Sequence, residues 1–77
     1  MPITVLFFGP LAEISGIDRI LVPDVSDTTA LTGYLLGTYP LLGSQSWKLA
    51  VNQELCPANR DLHDGDIVAL LSPFAGG

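Results

Sequence analysis

Ile3-Thr4-Val5-Leu6-Phe7-Phe8 is an unbroken run of strand-forming residues that stops at the turn signal Gly9-Pro10. Successive side chains of a strand point to opposite faces. If Ile3, Val5 and Phe7 face a core, then Thr4, Leu6 and Phe8 face away from it. The last apolar run, Ile67 to Leu71, has the same character: Val68 and Leu70 turn inward while Ile67, Ala69 and Leu71 turn out. Both runs are apolar on both sides. Between them the chain has room for one substantial helix, and one helix covers one face of a sheet. The second face is therefore expected to be an apolar patch that a partner buries, unless the two strands are central and loops cover them.

Outward from these strands, Leu11 to Gly16 reads as a turn of helix and Asp18 to Val22 as a second strand that pairs with the first and ends at Pro23. Ser26 or Asp27 caps a helix whose apolar positions Leu31, Tyr34 and Leu35 recur at helical spacing, and Pro40 stops it. Gly33 and Gly37 weaken that helix by about 1 kcal/mol each relative to alanine, so it depends on tertiary packing. Lys48 to Val51 and Glu54 to Cys56 flank Asn52-Gln53 as a tight hairpin. Leu62-His63-Asp64-Gly65-Asp66 forms the turn before the final strand.

At 77 residues the chain supports one domain, here read as a body over residues 1–71 and a tail over 72–77. The single cysteine, Cys56, leaves no internal disulfide, and no Cys/His cluster suggests a metal. A reducing cytoplasm is the expected compartment. Met1-Pro2-Ile3 has no signal-peptide character, and no apolar run approaches the ~18 residues of a membrane span. Eight carboxylates against Arg19, Lys48 and Arg60 give a net charge of -5. That balance argues against nucleic acid and anionic membranes; for the same reason an acidic partner surface is not expected, and a basic or apolar one is favoured.

The last two residues are Gly76-Gly77. At average glycine usage such a pair falls there by chance in about 0.5% of chains, which makes the terminus a candidate for chemistry. A carboxylate carried on two residues without side chains can enter a narrow channel and meet a reagent unhindered.

Thr4-Val5-Leu6-Phe7-Phe8, Ala50-Val51-Asn52-Gln53, Leu62-His63-Asp64-Gly65-Asp66 and Pro73-Phe74-Ala75-Gly76-Gly77, in this order and spacing, resemble the small-subunit family of molybdopterin synthase over essentially the whole chain. The resemblance implies an α+β, ubiquitin-like β-grasp fold: a mixed sheet packed on one main helix, with an extended C-terminal tail. It also implies a sulfur carrier that is not itself an enzyme and binds no cofactor or metal. In that family an adenylating enzyme of the ubiquitin-activating type uses ATP to join the terminal carboxylate to AMP. Sulfur from a donor protein then replaces AMP to give a thiocarboxylate. That sulfur attacks a pterin precursor on the large synthase subunit and builds the molybdenum-binding dithiolene. Carried over by position, Gly77 bears the AMP and then the sulfur, and Pro73, Phe74, Ala75 and Gly76 form the slim approach. Phe8, Leu55 and Leu71 correspond to the apolar residues that dock on both partners. Two departures stand out: Ser72 replaces a proline common in the family tail, and Leu70-Leu71 replace an aromatic pair. Carriers for thiamine thiazole synthesis or tRNA thiolation, and protein modifiers, share the fold and the Gly-Gly end and are the alternatives.

The remaining chemistry-bearing residues have plainer readings. Cys56 reads as core filler at a strand end rather than a persulfide acceptor. His63 reads as a solvated turn residue, Asp64 and Asp66 as turn formers around Gly65 rather than metal ligands. Trp47 is either a contact anchor or packing at a strand entrance.

Overall fold

The structure is a computed structural model that describes residues 2–72. In chain order its elements are β1 (Ile3–Phe7), α1 (Pro10–Ser15), β2 (Arg19–Val22), α2 (Thr28–Thr38), a 3-10 helix (Pro40–Ser44), β3 (Lys48–Val51), β4 (Glu54–Leu55) and β5 (Ile67–Leu71). The strands form one five-stranded sheet in the order β2-β1-β5-β3-β4. β1 and β5 run parallel at its centre, and the other pairs are antiparallel. This is the mixed sheet on one main helix that the resemblance implies.

Strand parity holds at every position named above. Ile3, Val5, Phe7, Val68 and Leu70 are all buried, whereas Thr4, Leu6, Phe8, Ile67, Ala69 and Leu71 are half-buried or exposed. The inner face meets Leu31 and Leu35 of α2, Leu11 of α1 and Leu42 of the 3-10 helix in one core cluster. Phe7 packs edge-on against Tyr39, with ring centroids 5.7 Å apart.

Asp27 is the cap of α2: its carboxylate accepts from the backbone N–H of Ala30 at 2.8 Å. A second clamp comes from far along the chain. Asn59 Oδ1 accepts from the Thr29 backbone N–H at 2.9 Å and from the Thr28 and Thr29 hydroxyls, while the Arg60 N–H donates to Thr28 Oγ1. These bonds satisfy helix-end donors that would otherwise be unpaired and pin the segment before β5 to the start of α2.

Several boundaries differ from the sequence expectation. Phe8 lies just past the end of β1, Asp18 just before β2, and Cys56 just past β4. Tyr34 is exposed rather than part of the buried stripe, which runs through Thr28, Leu31 and Leu35. In an 11-residue helix lying on a small sheet, the buried face is too narrow to take both Tyr34 and Leu35. Pro40 opens the 3-10 helix, an element not read from sequence, and α2 itself ends at Thr38. Among the described residues, no helix is long and apolar enough to cross a membrane.

Candidate docking face

The outer side of the sheet can be read row by row from the strand register. β1 against β5 places Leu6 beside Ala69, and β5 against β3 places Ala69 beside Ala50. Beyond these, Arg19 of β2 pairs with Leu6 and Leu55 of β4 pairs with Ala50. One row is therefore Arg19-Leu6-Ala69-Ala50-Leu55, crossing all five strands. In the next row Lys48 pairs with Leu71, and Phe8, one step past the Phe7–Leu70 pair, falls beside Leu71. The row on the other side holds Leu21, Thr4 and Ile67.

Leucine, isoleucine, phenylalanine and alanine thus occupy most of a face that none of the described helices covers. Phe8 is 45% exposed, Leu55 62%, Leu21 61% and Ile67 47%. Isolated exposed apolar residues are ordinary on protein surfaces, but a contiguous set on one sheet face marks an interaction site. The small side chains of Ala50 and Ala69 leave a shallow hollow at the centre, lined also by Leu6, Phe8, Ile67 and Asn52.

The expected docking residues Phe8, Leu55 and Leu71 therefore share this face, with Phe8 and Leu71 adjacent and Leu55 across the hollow. The other expected site residues, Pro73, Phe74, Ala75, Gly76 and Gly77, lie outside the described residues. Leu71 ends β5 on the docking face, and Ser72 alone separates it in sequence from Pro73.

Two short motifs from the sequence meet at one end of this face. Asn52 and Gln53 both have positive φ, 50° and 73°, as a two-residue hairpin turn with the twist of the flanking strands requires. The Asn52 amide reaches across to β5: Oδ1 accepts from the Ile67 N–H at 3.0 Å, and Nδ2 donates to Asp66 Oδ1 at 3.0 Å. The other Asp66 oxygen accepts from the His63 N–H at 2.8 Å, closing the turn around Gly65, whose φ is 86°. The His63 backbone N–H, and after it the Asn52 amide, hold the Asp66 carboxyl below its ordinary value, because both stabilise the ionised form. Sequence reading found the two turns but not this clamp. A polar side chain of the right length at each turn was the available signal, and nothing local pairs the two across 14 residues.

The other candidates resolve to structural roles. Trp47 is half-buried and its indole N–H donates to the Leu42 carbonyl at 3.0 Å, so it packs at the strand entrance. Cys56 packs partly against the core, with Sγ 3.8 Å from Arg60 Nη1. His63 is exposed. Among the described residues no cluster of three or more His, Cys, Asp or Glu side chains is placed to hold a metal ion.

The model of the ThiS family matches residues 5–77. A molybdopterin synthase sulfur carrier subunit from Chlamydomonas reinhardtii is 32% identical over 83 residues, covering 100% of both chains. The subunit of the same description from Mycobacterium tuberculosis is 34% identical over 80 residues, covering 97% of this chain and 96% of its own. Among solved structures, the complex of subunits 1 and 2 of molybdopterin-converting factor from Helicobacter pylori contains a chain 31% identical, with a TM-score of 0.75 and complete coverage of both chains.

Proposed function

The chain belongs to the ThiS family, and from that membership we propose that it is a sulfur carrier in molybdenum cofactor synthesis, working through its own C-terminal carboxylate. The observation that carries this reading is the pair of end-to-end relatives, both sulfur carrier subunits of molybdopterin synthase, whose similarity runs across 97–100% of the chain. It favours the molybdopterin branch over thiazole synthesis or tRNA thiolation.

The steps follow from carboxylate chemistry. A free carboxylate is a poor electrophile. The adenylating partner lets an oxygen of the Gly77 carboxylate attack the α-phosphorus of ATP, releasing pyrophosphate and leaving an acyl-adenylate with a good leaving group. A persulfide on the donor protein attacks the carbonyl carbon with its outer sulfur and expels AMP, giving an acyl disulfide. A second thiol then attacks the donor's inner sulfur, forming a disulfide there, and the electron pair of the broken S–S bond leaves with the thiocarboxylate on Gly77. On the large subunit this sulfur attacks an electrophilic side-chain carbon of the pterin precursor and an oxygen substituent of that carbon leaves, so that a C–S bond replaces a C–O bond. Cleavage of the bond between the Gly77 carbonyl carbon and sulfur by water returns the carboxylate and leaves sulfur on the pterin. The body of the protein supplies docking: Phe8, Leu71, Leu55 and the central hollow seat on the partner while Pro73 to Gly77 reach its reaction centre.

Intact-mass spectrometry after incubation with the adenylating enzyme, ATP and a sulfur source tests this reading. The expected result is a gain equal to one oxygen replaced by sulfur, located on Gly77 by fragmentation. Loss of the gain on deleting Gly77, with the urea midpoint unchanged, assigns it to the terminus. An unchanged mass, with the enzyme active on a known carrier, rejects the proposal.

A further inference from the structure

The net charge of -5 is distributed unevenly, and the uneven part falls on the docking face. Of the three basic residues, Arg60 is 3.4 Å from Glu54. The other two, Arg19 and Lys48, are both exposed, both placed by register on the outer face, and among the described residues neither is in an ion pair. The carboxylates avoid this face. Glu54, the only one inside a strand, pairs with Val51 and so shares the helix side. Glu13 is on α1, and five others are in the loops leading into α2 and β5. Two stand at its border: Asp18, immediately before Arg19, and Asp66, tied to the Asn52 amide at the hairpin end. An acidic protein thus presents a face of local positive charge around an apolar centre.

We infer that the partner surface seated on this face carries carboxylates at two separate points, one opposite Arg19 and one opposite Lys48, flanking an apolar projection that fills the hollow over Ala50 and Ala69. The inference rests on the docking reading above and names the chemistry of that partner, taken as the large synthase subunit. Geometry sets the spacing. Arg19 and Lys48 lie three strands and one row apart, which at ~4.8 Å per strand and ~6.7 Å per row puts their Cα atoms about 16 Å apart. With the Debye length about 8 Å at physiological salt, a carboxylate in contact with one cation is largely screened from the other, so each cation is best matched by its own carboxylate. Lys48 pairs with Leu71, the last strand residue, so its carboxylate partner stands beside the point where the tail leaves the body. Charges at such a rim act chiefly on encounter rate and orientation, and fix which way round the tail is presented.

The test is stopped-flow association with the large synthase subunit at low and high salt. The variants are Arg19→Gln/Lys48→Gln and a control, Ala30→Glu/Gln45→Glu, which makes the same two-unit change in net charge at exposed positions away from this face. The first pair is expected to associate roughly three- to tenfold more slowly at low salt, with the deficit vanishing near 1 M salt, and the control to associate almost as the parent does. Arg19→Lys/Lys48→Arg should restore the rate. Zero-length carbodiimide coupling should yield an amide between Lys48 and a partner Asp or Glu in peptide mass spectra. Parent-like rates in the Gln pair, faster association, or equal slowing in the control would overturn the inference. A parent protein that does not bind at all, or binding indifferent to Phe8→Ala, would instead reject the docking reading beneath it.

Discussion

Phe7 ends β1 and Phe8 follows it on the opposite side of the sheet, so truncating each of these chemically identical neighbours to alanine separates folding from docking. Phe7 is 2% exposed and packs against Tyr39 in the core. Removing a buried phenylalanine costs about 3–5 kcal/mol through lost transfer free energy and the cavity left behind. A domain of this length is stabilised by roughly 4–12 kcal/mol, so Phe7→Ala sits near the edge of folding. Phe8 is 45% exposed. On a side chain of roughly 200 Å², that leaves about 90 Å² for a partner to cover, worth about 2 kcal/mol at ~25 cal/mol/Å². Phe8→Ala is therefore expected to weaken binding to the large subunit by roughly 30-fold while shifting the urea unfolding free energy by less than about 1 kcal/mol. Urea titration followed by circular dichroism, and calorimetric binding at a temperature where both variants are folded, give the two numbers. Equal destabilisation by both substitutions, or full affinity in Phe8→Ala, would refute the assignment of the outer face.

A methyl group added at Gly33 or Gly37 would meet no atom within 4 Å, and both residues have ordinary helical backbone, so Gly33→Ala and Gly37→Ala should each raise stability by about 1 kcal/mol, read as a higher urea midpoint. Gln53 holds φ 73° without being glycine, so Gln53→Gly should stabilise the hairpin by roughly 0.5–1 kcal/mol, whereas Gln53→Val should destabilise it. Because the folded Asp66 carboxyl is held below its ordinary value of 3.8, its contribution is fully present above that value and is lost as pH falls through the lower folded one. Asp66→Asn should accordingly lose stability near neutral pH and show a shallower fall of melting temperature below about pH 4 than the parent.

The strands and their two-sided apolar character were legible because alternation is a local signal: Ile3 to Phe8 and Ile67 to Leu71 declare their parity without reference to anything else. Helix α2 was legible through its Asp27 cap and its apolar spacing, although Tyr34 turned out exposed, since spacing cannot say how wide a face the sheet leaves to cover. What local pattern could not show were contacts between distant residues. Asn59 reaches Thr28 and Thr29 across 30 residues, and Asn52 reaches Asp66 across 14. In both cases an asparagine in a loop looks the same whether it faces water or closes a turn elsewhere. The 3-10 helix was missed for a related reason: Pro40 reads equally as the end of one element and the start of the next. Net charge is an average over the whole surface: a value of -5 does not say where the charges stand, and it is strand register that puts Arg19 and Lys48 on the outer face.

The parallel pairing of β1 with β5 links docking to chemistry. It sets the end of β5 at the sheet centre beside Phe8, so the chain leaves the body from within its own contact surface, not from a remote edge. Residues 72–77 span at most about 20–22 Å when fully extended, at ~3.3–3.6 Å per residue. The carbonyl carbon of Gly77 can therefore reach only a partner centre within about that distance of the pocket that receives Leu71 and Phe8. On the proposed function, an adenylating partner and a large subunit that share this carrier would each hold an apolar seat and a reaction centre at a similar separation, with the length of the arm set by the carrier and the chemistry by the partner. A Gly-Gly inserted before Gly76 would lengthen the arm by about 7 Å and leave the docking face untouched. Binding should persist while sulfur transfer falls, because a longer, looser arm lowers the fraction of docked complexes with the carbonyl at the reaction centre.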